Sequence, residues 1–272
     1  LALKFGPALH MGGEFAQIRQ TRQEILDQYP TGLNISQKTG SMAFDFSELE
    51  FMMGVSKRMA LGFRAGYRRL GTPYQISSTD TYSDGFDTST YTTSDTLMSL
   101  TDLHFGLMGR AYFPSKSLRF YAGFGLGLHM ASLSAKDEFT LTTSGSVNGM
   151  AGGSVESKVT GTGFGGALQL GLEIPLAGKA SFFFENTLEL ASVGSLKGTW
   201  NAQGTGTGDY TAPPTGDPTS GNAVWLKYTD PTTGKTYYSI SDEEALTADP
   251  APEIAGLGLS ALRINVGLRL GL

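Results

Sequence analysis

From Leu262 to the end of the chain every even position is apolar: Leu262, Ile264, Val266, Leu268, Leu270 and Leu272. The odd positions are Arg263, Asn265, Gly267, Arg269 and Gly271. Successive side chains of a strand point to opposite faces, so the stretch predicts a strand with one aliphatic face and one face carrying two guanidinium groups. The same alternation predicts eight strands, at about 1–16, 46–56, 59–74, 97–113, 118–134, 160–174, 180–195 and 259–272. In the fifth, for example, Phe120, Ala122, Phe124, Leu126, Leu128 and Met130 alternate with Arg119, Tyr121 and His129. No Lys, Arg, Asp or Glu interrupts the apolar face of any of them within its core. A soluble sandwich would turn that face inward. A membrane barrel turns it to lipid and gives the charges to its lumen.

The connections carry a second signal. Three are short and rich in turn residues: Ser56-Lys57-Arg58, Pro114-Ser115-Lys116-Ser117 and Pro175-Leu176-Ala177-Gly178. The others are long and polar, at about 18–45, 75–95, 135–159 and 196–254. Short turns at one end and long loops at the other are the arrangement of outer-membrane barrels. Within the long loops, 21–28 has helical composition, and Ser241 with Glu244 reads as a capping box. Segments 224–229 and 235–240 flank Asp230-Pro231-Thr232-Thr233-Gly234 as a hairpin, while 139–142 and 155–159 extend the fifth and sixth strands.

Composition narrows the function classes. The 272 residues contain no cysteine, which excludes disulfides, thiolate zinc clusters and a thiol nucleophile. A net charge of −5 without a basic stripe argues against nucleic acid as a partner. No uncharged apolar run reaches the roughly 20 residues of a spanning helix. The chain opens directly in an alternating segment, so a signal peptide is expected to have been cleaved.

Parity places fourteen charged side chains on the lumen faces. The acids are Glu14, Glu48, Glu50, Asp102, Glu173, Glu185 and Glu189, and the bases are Lys4, Arg64, Arg68, Arg110, Arg119, Arg263 and Arg269. An eight-stranded barrel is only wide enough for side chains to fill it, so these groups are expected to pair. Arg263 and Arg269 should reach Glu185, Glu189 or Glu14, with Gly123, Gly125, Gly163 and Gly165 making room. A balanced set favours a salt-bridged plug over an ion-selective pathway. His10, His104 and His129 share the lumen parity. No nucleophile signature accompanies them, and their spacing along the chain gives no metal motif, so neither a catalytic residue nor a metal or other cofactor is expected. Asp80, Asp84 and Asp87 fall in an oxygen-rich stretch, 78–87, that lacks EF-hand spacing and reads as a solvated loop. In the last loop Trp200, Tyr210, Trp225, Tyr228, Tyr237 and Tyr238 form either a protein-binding surface or the packing of an outer cap. Phe5, Met59, Phe113, Phe120 and Phe182 lie towards the short-turn end of the apolar face, and Phe15, Tyr67 and Phe164 towards the other.

In its eight alternating segments, short turns and long loops the chain resembles the small outer-membrane barrels of the outer-membrane protein A, X and W type. The resemblance is architectural, spans nearly the whole length, and departs from the family at Leu272, where such barrels often carry Phe or Trp. The expected fold is all-β: a single-domain, eight-stranded antiparallel up-and-down transmembrane β-barrel with short periplasmic turns and four long extracellular loops. The expected place is the outer membrane of a Gram-negative bacterium, in contact with the lipid bilayer and lipopolysaccharide. The expected role is non-enzymatic, through the outer loops, as a structural or surface-interaction protein or with a protein partner in an envelope complex. A passive channel for small solutes or hydrophobic compounds is the alternative, and a lipid A-modifying enzyme the third.

Overall fold

The computed structural model describes residues 1–10, 34–39, 43–83, 88–114, 118–146, 148–176, 178–208, 219–247 and 251–271. Among these, alternation becomes strand throughout, and no α-helix is present. The strands are β1 (Ala2–Phe5), β2 (Ala8–His10), β3 (Asn34–Thr39), β4 (Ala43–Gly54), β5 (Met59–Ser83), β6 (Thr88–Pro114), β7 (Arg119–Ser144) and β8 (Gly149–Pro175). They continue with β9 (Ala180–Val193), β10 (Lys197–Gly208), β11 (Thr219–Thr229), β12 (Thr236–Asp242), β13 (Glu253–Ile254), β14 (Leu257–Gly258) and β15 (Ala261–Leu270). All fifteen belong to one antiparallel up-and-down sheet.

Part of that sheet closes on itself. The order β8-β7-β6-β5-β4-β1-β15-β9 returns to β8 through the β8–β9 ladder, which makes a ring compatible with a β-barrel. Each of the eight predicted segments contributes to it, and 259–272 lies between the first and seventh as expected, with Lys4 opposite Gly267 and Asn265 opposite Glu185. The break at Gly6-Pro7 divides the first segment into β1 and β2, both paired with β15.

The ring is not the whole sheet, and here the loop expectations are corrected. Strand β8 uses one edge twice, pairing β9 over 163–175 and β10 over 149–160. Strand β5 likewise pairs β4 over 60–71 and β3 over 74–79. An open sheet, β3-β5-β6-β7-β8-β10-β11-β12, therefore continues past the ring at the long-loop end. Strand is found where it was expected at 139–142, 155–159, 224–229 and most of 235–240, but it also takes in 75–83, 88–95 and 197–208, including residues 78–83 of the stretch read as a solvated loop. These segments are Thr-, Ser- and Tyr-rich with polar residues on both faces. Period-two hydrophobicity marks a strand only where one face meets an apolar medium. Register shifts at Gly71/Tyr74 and Thr96/Ser99 sit where the sheet leaves the ring. The first accommodates Pro73, which has no N–H to give to a ladder.

Two of the three short turns are where the sequence puts them, and the third, 115–117, lies outside the described residues. Val55 and Ser56 donate their N–H groups to Met59 O, and Leu176 N–H donates to Ala180 O, with Gly178 at φ 73°. The hairpin at 230–234 also forms, with Gly234 at φ 68° and Asp230 accepting from Thr232 N–H. The capping box does not. Ser241 is held in the β11–β12 ladder opposite Val224, and Asp242 instead caps a single 3-10 turn, Glu243–Thr247, by accepting from Glu244 N–H. The helical expectation for 21–28 lies outside the described residues, as do Glu14, Phe15, Tyr210 and 84–87.

Three layers result. Large apolar side chains, among them Leu3, Phe51, Phe63, Leu107, Phe124, Leu126, Leu168, Leu190 and Ile264, are exposed on the outside of the ring. Inside it, Lys4, Glu48, Arg64, Glu185 and Arg263 are buried. At the long-loop end of the interior the packing turns apolar: Leu100, Leu133, Val159, Val193, Leu196, Trp225, Leu257 and Leu259 form one buried cluster.

Candidate functional site

The inner face of the ring is a column of ion pairs, built because every second residue of each strand points inward. At the short-turn mouth Arg269 pairs with Glu173 and donates to Tyr112 Oη at 3.1 Å. Deeper, Lys4 Nζ lies 2.8, 2.7 and 2.9 Å from carboxylate oxygens of Glu48, Glu50 and Glu185. Arg110 Nη2 donates to Glu50 at 2.6 Å, Glu185 at 2.7 Å and Gln169 at 3.0 Å. Its guanidinium stands 4.5 Å from the ring centre of Tyr121, whose hydroxyl donates to Glu185 at 2.8 Å. Above this, Arg263 donates to Glu48 at 3.3 Å and Arg64 to Glu189 at 2.9 Å. The last polar tier holds Arg68, donating to Asp102 at 2.9 Å, and the stacked rings of His104 and His129, with centroids 5.5 Å apart. Glycine creates the space: a Cβ on Gly123 would meet Arg110 Cγ at 3.1 Å, and one on Gly165 would meet His129 Nε2 at 2.8 Å.

Twelve of the fourteen predicted charges thus meet in this column, six of each sign. Arg119 does not: it is exposed at the mouth, where inward parity no longer means burial. Glu14 lies outside the described residues. Arg263 reaches Glu189 as expected, at 3.7 Å, but its hydrogen-bonded partner is Glu48. Arg269 takes Glu173, with Glu50 at 3.6 Å, rather than Glu185 or Glu189. His104 lies in the column beside Glu48, and His10 is in β2. A vestibule of about 640 Å³ opens at the short-turn end and stops at the column, lined by Glu50, Tyr112, Arg119, Glu173 and Arg269.

The aromatic set of the last loop is not an exposed surface. Trp225 is 0 % exposed at the centre of the apolar cluster and stacks on Tyr238 with ring centroids 5.6 Å apart. Trp200 donates its indole N–H to Asp242 at 2.7 Å. Tyr228 and Tyr237, opposite one another in the hairpin, stack at 6.3 Å and are half-buried. Of the two readings left open, packing rather than presentation accounts for Trp225, Trp200 and Tyr238. Asp242 serves both the Trp200 bond and the 3-10 turn. An Asp242→Ala chain should lose about 1–2 kcal/mol, seen as a lower urea midpoint. An unchanged midpoint would remove Asp242 from the account.

Two hydroxyls meet carboxylates in the column, Ser181 donating to Glu173 and Thr187 to Glu185, and both are buried. What sequence spacing missed is the meeting of Asp102, His104 and His129 within one buried group. His104 is directly opposite His129 in the β6–β7 ladder. Counting the ladder back from the turn that follows Pro114 would have found the pair.

No family model matches the chain, and neither a curated protein nor a solved structure gives a significant match to it.

Proposed function

We propose that the ring is an eight-stranded transmembrane β-barrel of a bacterial outer membrane, sealed inside, and that the protein works through the sheet projecting from its long-loop end. The observation that carries this is the inversion of polarity: aliphatic and aromatic side chains outside, paired charges within. The dimensions agree. On β7 the outward apolar side chains run from Phe120 to Met130, and ten residue steps make roughly 33 Å along a strand. At a tilt of about 40° that is about 25 Å along the membrane normal, the height of a barrel's apolar band. Bilayer lipid, and lipopolysaccharide in the outer leaflet, would cover that band.

Two layers support a closed lumen. The charge column is balanced and filled, and the Trp225 cluster lies across its long-loop end. A spanning strand needs only about 9–11 residues, whereas β7 has 26 and β8 has 27. The excess forms the projecting sheet, a rigid platform for a structural or interaction role at the cell surface or in an envelope complex. Deleting 196–254 would be a poor probe of that role, because it removes β10, β11, β12 and Trp225 together. Conductance is the sharper test. Purified protein in planar bilayers should give no steps above baseline, whereas persistent ion-selective steps would replace the sealed barrel with a channel.

A further inference from the structure

Asp102 and His104 share one face of β6, and His129 stands opposite His104 on β7. With two glutamates they form an alternating series of carboxylates and imidazoles. Glu48 Oε2 lies 3.1 Å from His104 Nε2, and His104 Nδ1 lies 3.9 Å from Asp102 Oδ2. That same oxygen lies 3.1 Å from His129 Nδ1, and His129 Nε2 lies 3.8 Å from Glu189 Oε1. All five side chains are buried.

A neutral imidazole has one N–H and one lone pair. Two of them supply two protons to four nitrogen–oxygen junctions. The distances divide in the same way, two at hydrogen-bond length and two beyond it. Both Nδ1 atoms face the Asp102 carboxylate, and both Nε2 atoms face a glutamate. As it stands His129 Nδ1 donates to Asp102; an ion taking Nδ1 would shift that proton to Nε2, so that each ring directs an N–H towards a glutamate and a lone pair at the ion. Imidazoles that ligate metals are held in this way, with the far N–H on a carboxylate.

We propose that His104 Nδ1, His129 Nδ1 and Asp102 form a site for one divalent transition-metal ion of the zinc class, with Glu48 and Glu189 orienting the two rings. The donor atoms already lie within 4.8 Å of one another. A tetrahedral ion with bonds of about 2.0–2.1 Å draws its ligands to about 3.4 Å apart, between the 3.1 and 3.9 Å contacts now present. Two nitrogens and one oxygen suit zinc, cobalt, nickel or copper and are poor for calcium or magnesium. Arg68 donates to Asp102 Oδ2 at 2.9 Å, and Oδ1 lies 3.2 Å from His129 Nδ1, so both carboxylate oxygens already face the donor set. Arg64, Arg68 and Arg263 already balance Glu48, Asp102 and Glu189, so the site is weaker than a closed four-ligand zinc centre. Access is through folding, because the tier lies between the ion pairs and the apolar cluster.

The test uses tag-free full-length chain, refolded with ZnCl2 or CoCl2 alone and, separately, given the metal after folding. Bound metal is counted after gel filtration, and cobalt is followed by its visible d–d absorption. One equivalent per chain is expected on refolding, with the intensity of a tetrahedral site. His104→Gln and His129→Gln should each abolish that absorption. Glu189→Gln, which touches no metal, should weaken binding roughly 10–100-fold. Far-ultraviolet circular dichroism identifies variants that fold, and a Glu173→Gln chain at the opposite end of the column should bind as the parent does. Absence of stoichiometric metal by both routes, or equal binding in folded His104→Gln and His129→Gln chains, overturns the site.

Discussion

Replacing Lys4 by Met should lower the unfolding free energy by about 3–5 kcal/mol. Lys4 is 0 % exposed, and its ammonium is the shared partner of Glu48, Glu50 and Glu185. Its removal leaves three carboxylates crowded in the ring with one cation fewer. Truncating one partner of a buried ion pair costs far more than the pair contributes net, because the abandoned charge keeps its desolvation penalty. Urea unfolding of protein reconstituted in lipid vesicles measures the loss. A second change, Glu185→Gln, should recover part of it by removing one of the uncompensated charges, although Arg110 and Tyr121 then lose an acceptor. A Lys4→Met chain within about 0.5 kcal/mol of the parent would mean that the column is hydrated and not a sealed interior.

The second large effect lies at the other end of the lumen. Trp225→Ala should cost about 3–5 kcal/mol, the range for emptying a large aromatic from a packed core. The loss should also be local. Trp225 N–H donates to Leu196 O and its carbonyl accepts from Ala255 N–H, so the residue ties β11 to the chain on either side of it. Hydrogen exchange followed by mass spectrometry should show 219–229 and 255–259 losing protection first, while β5 to β8 keep theirs within the ring. Uniform loss across all strands would show that the cap and the ring are a single cooperative unit.

How much of this was legible in the sequence depends on what each face of a strand touches. The eight ring segments stood out because one face of each is apolar and exposed and the other polar and turned into the ring, so alternation is strict. The same strands become illegible a few residues on. Ser77 and Thr79 continue β5, but nothing in their hydrophobicity distinguishes strand from loop once both faces are polar. Parity also located the charged column, because inward direction is a property of position alone. It failed at Arg119, the first residue of β7, where the interior gives way to the mouth. Partner choice was less legible than location. Arg269 on β15 meets Glu173 on β8 past the intervening β9, so the two lie on strands that are not neighbours in the sheet. Such contacts depend on ring closure and stagger, which alternation does not encode. The choice between the two readings of Trp225 stayed open for a related reason. Its segment lies in a polar stretch, and only the folding of 251–259 back over β9 and β11 shows that the indole has a core to enter.

A membrane barrel requires that the outer surface of the ring face lipid. The chain has no cysteine, so single cysteines can be introduced and spin-labelled without background. Leu107→Cys, Leu126→Cys and Leu170→Cys probe the exposed apolar band, and Thr142→Cys and Ser239→Cys probe the projecting sheet. In protein reconstituted in vesicles, labels at 107, 126 and 170 should collide freely with oxygen and little with a water-soluble nickel chelate, while labels at 142 and 239 should do the opposite. Nickel accessibility at 107, 126 and 170 equal to that at 142 and 239 would contradict the membrane barrel outright.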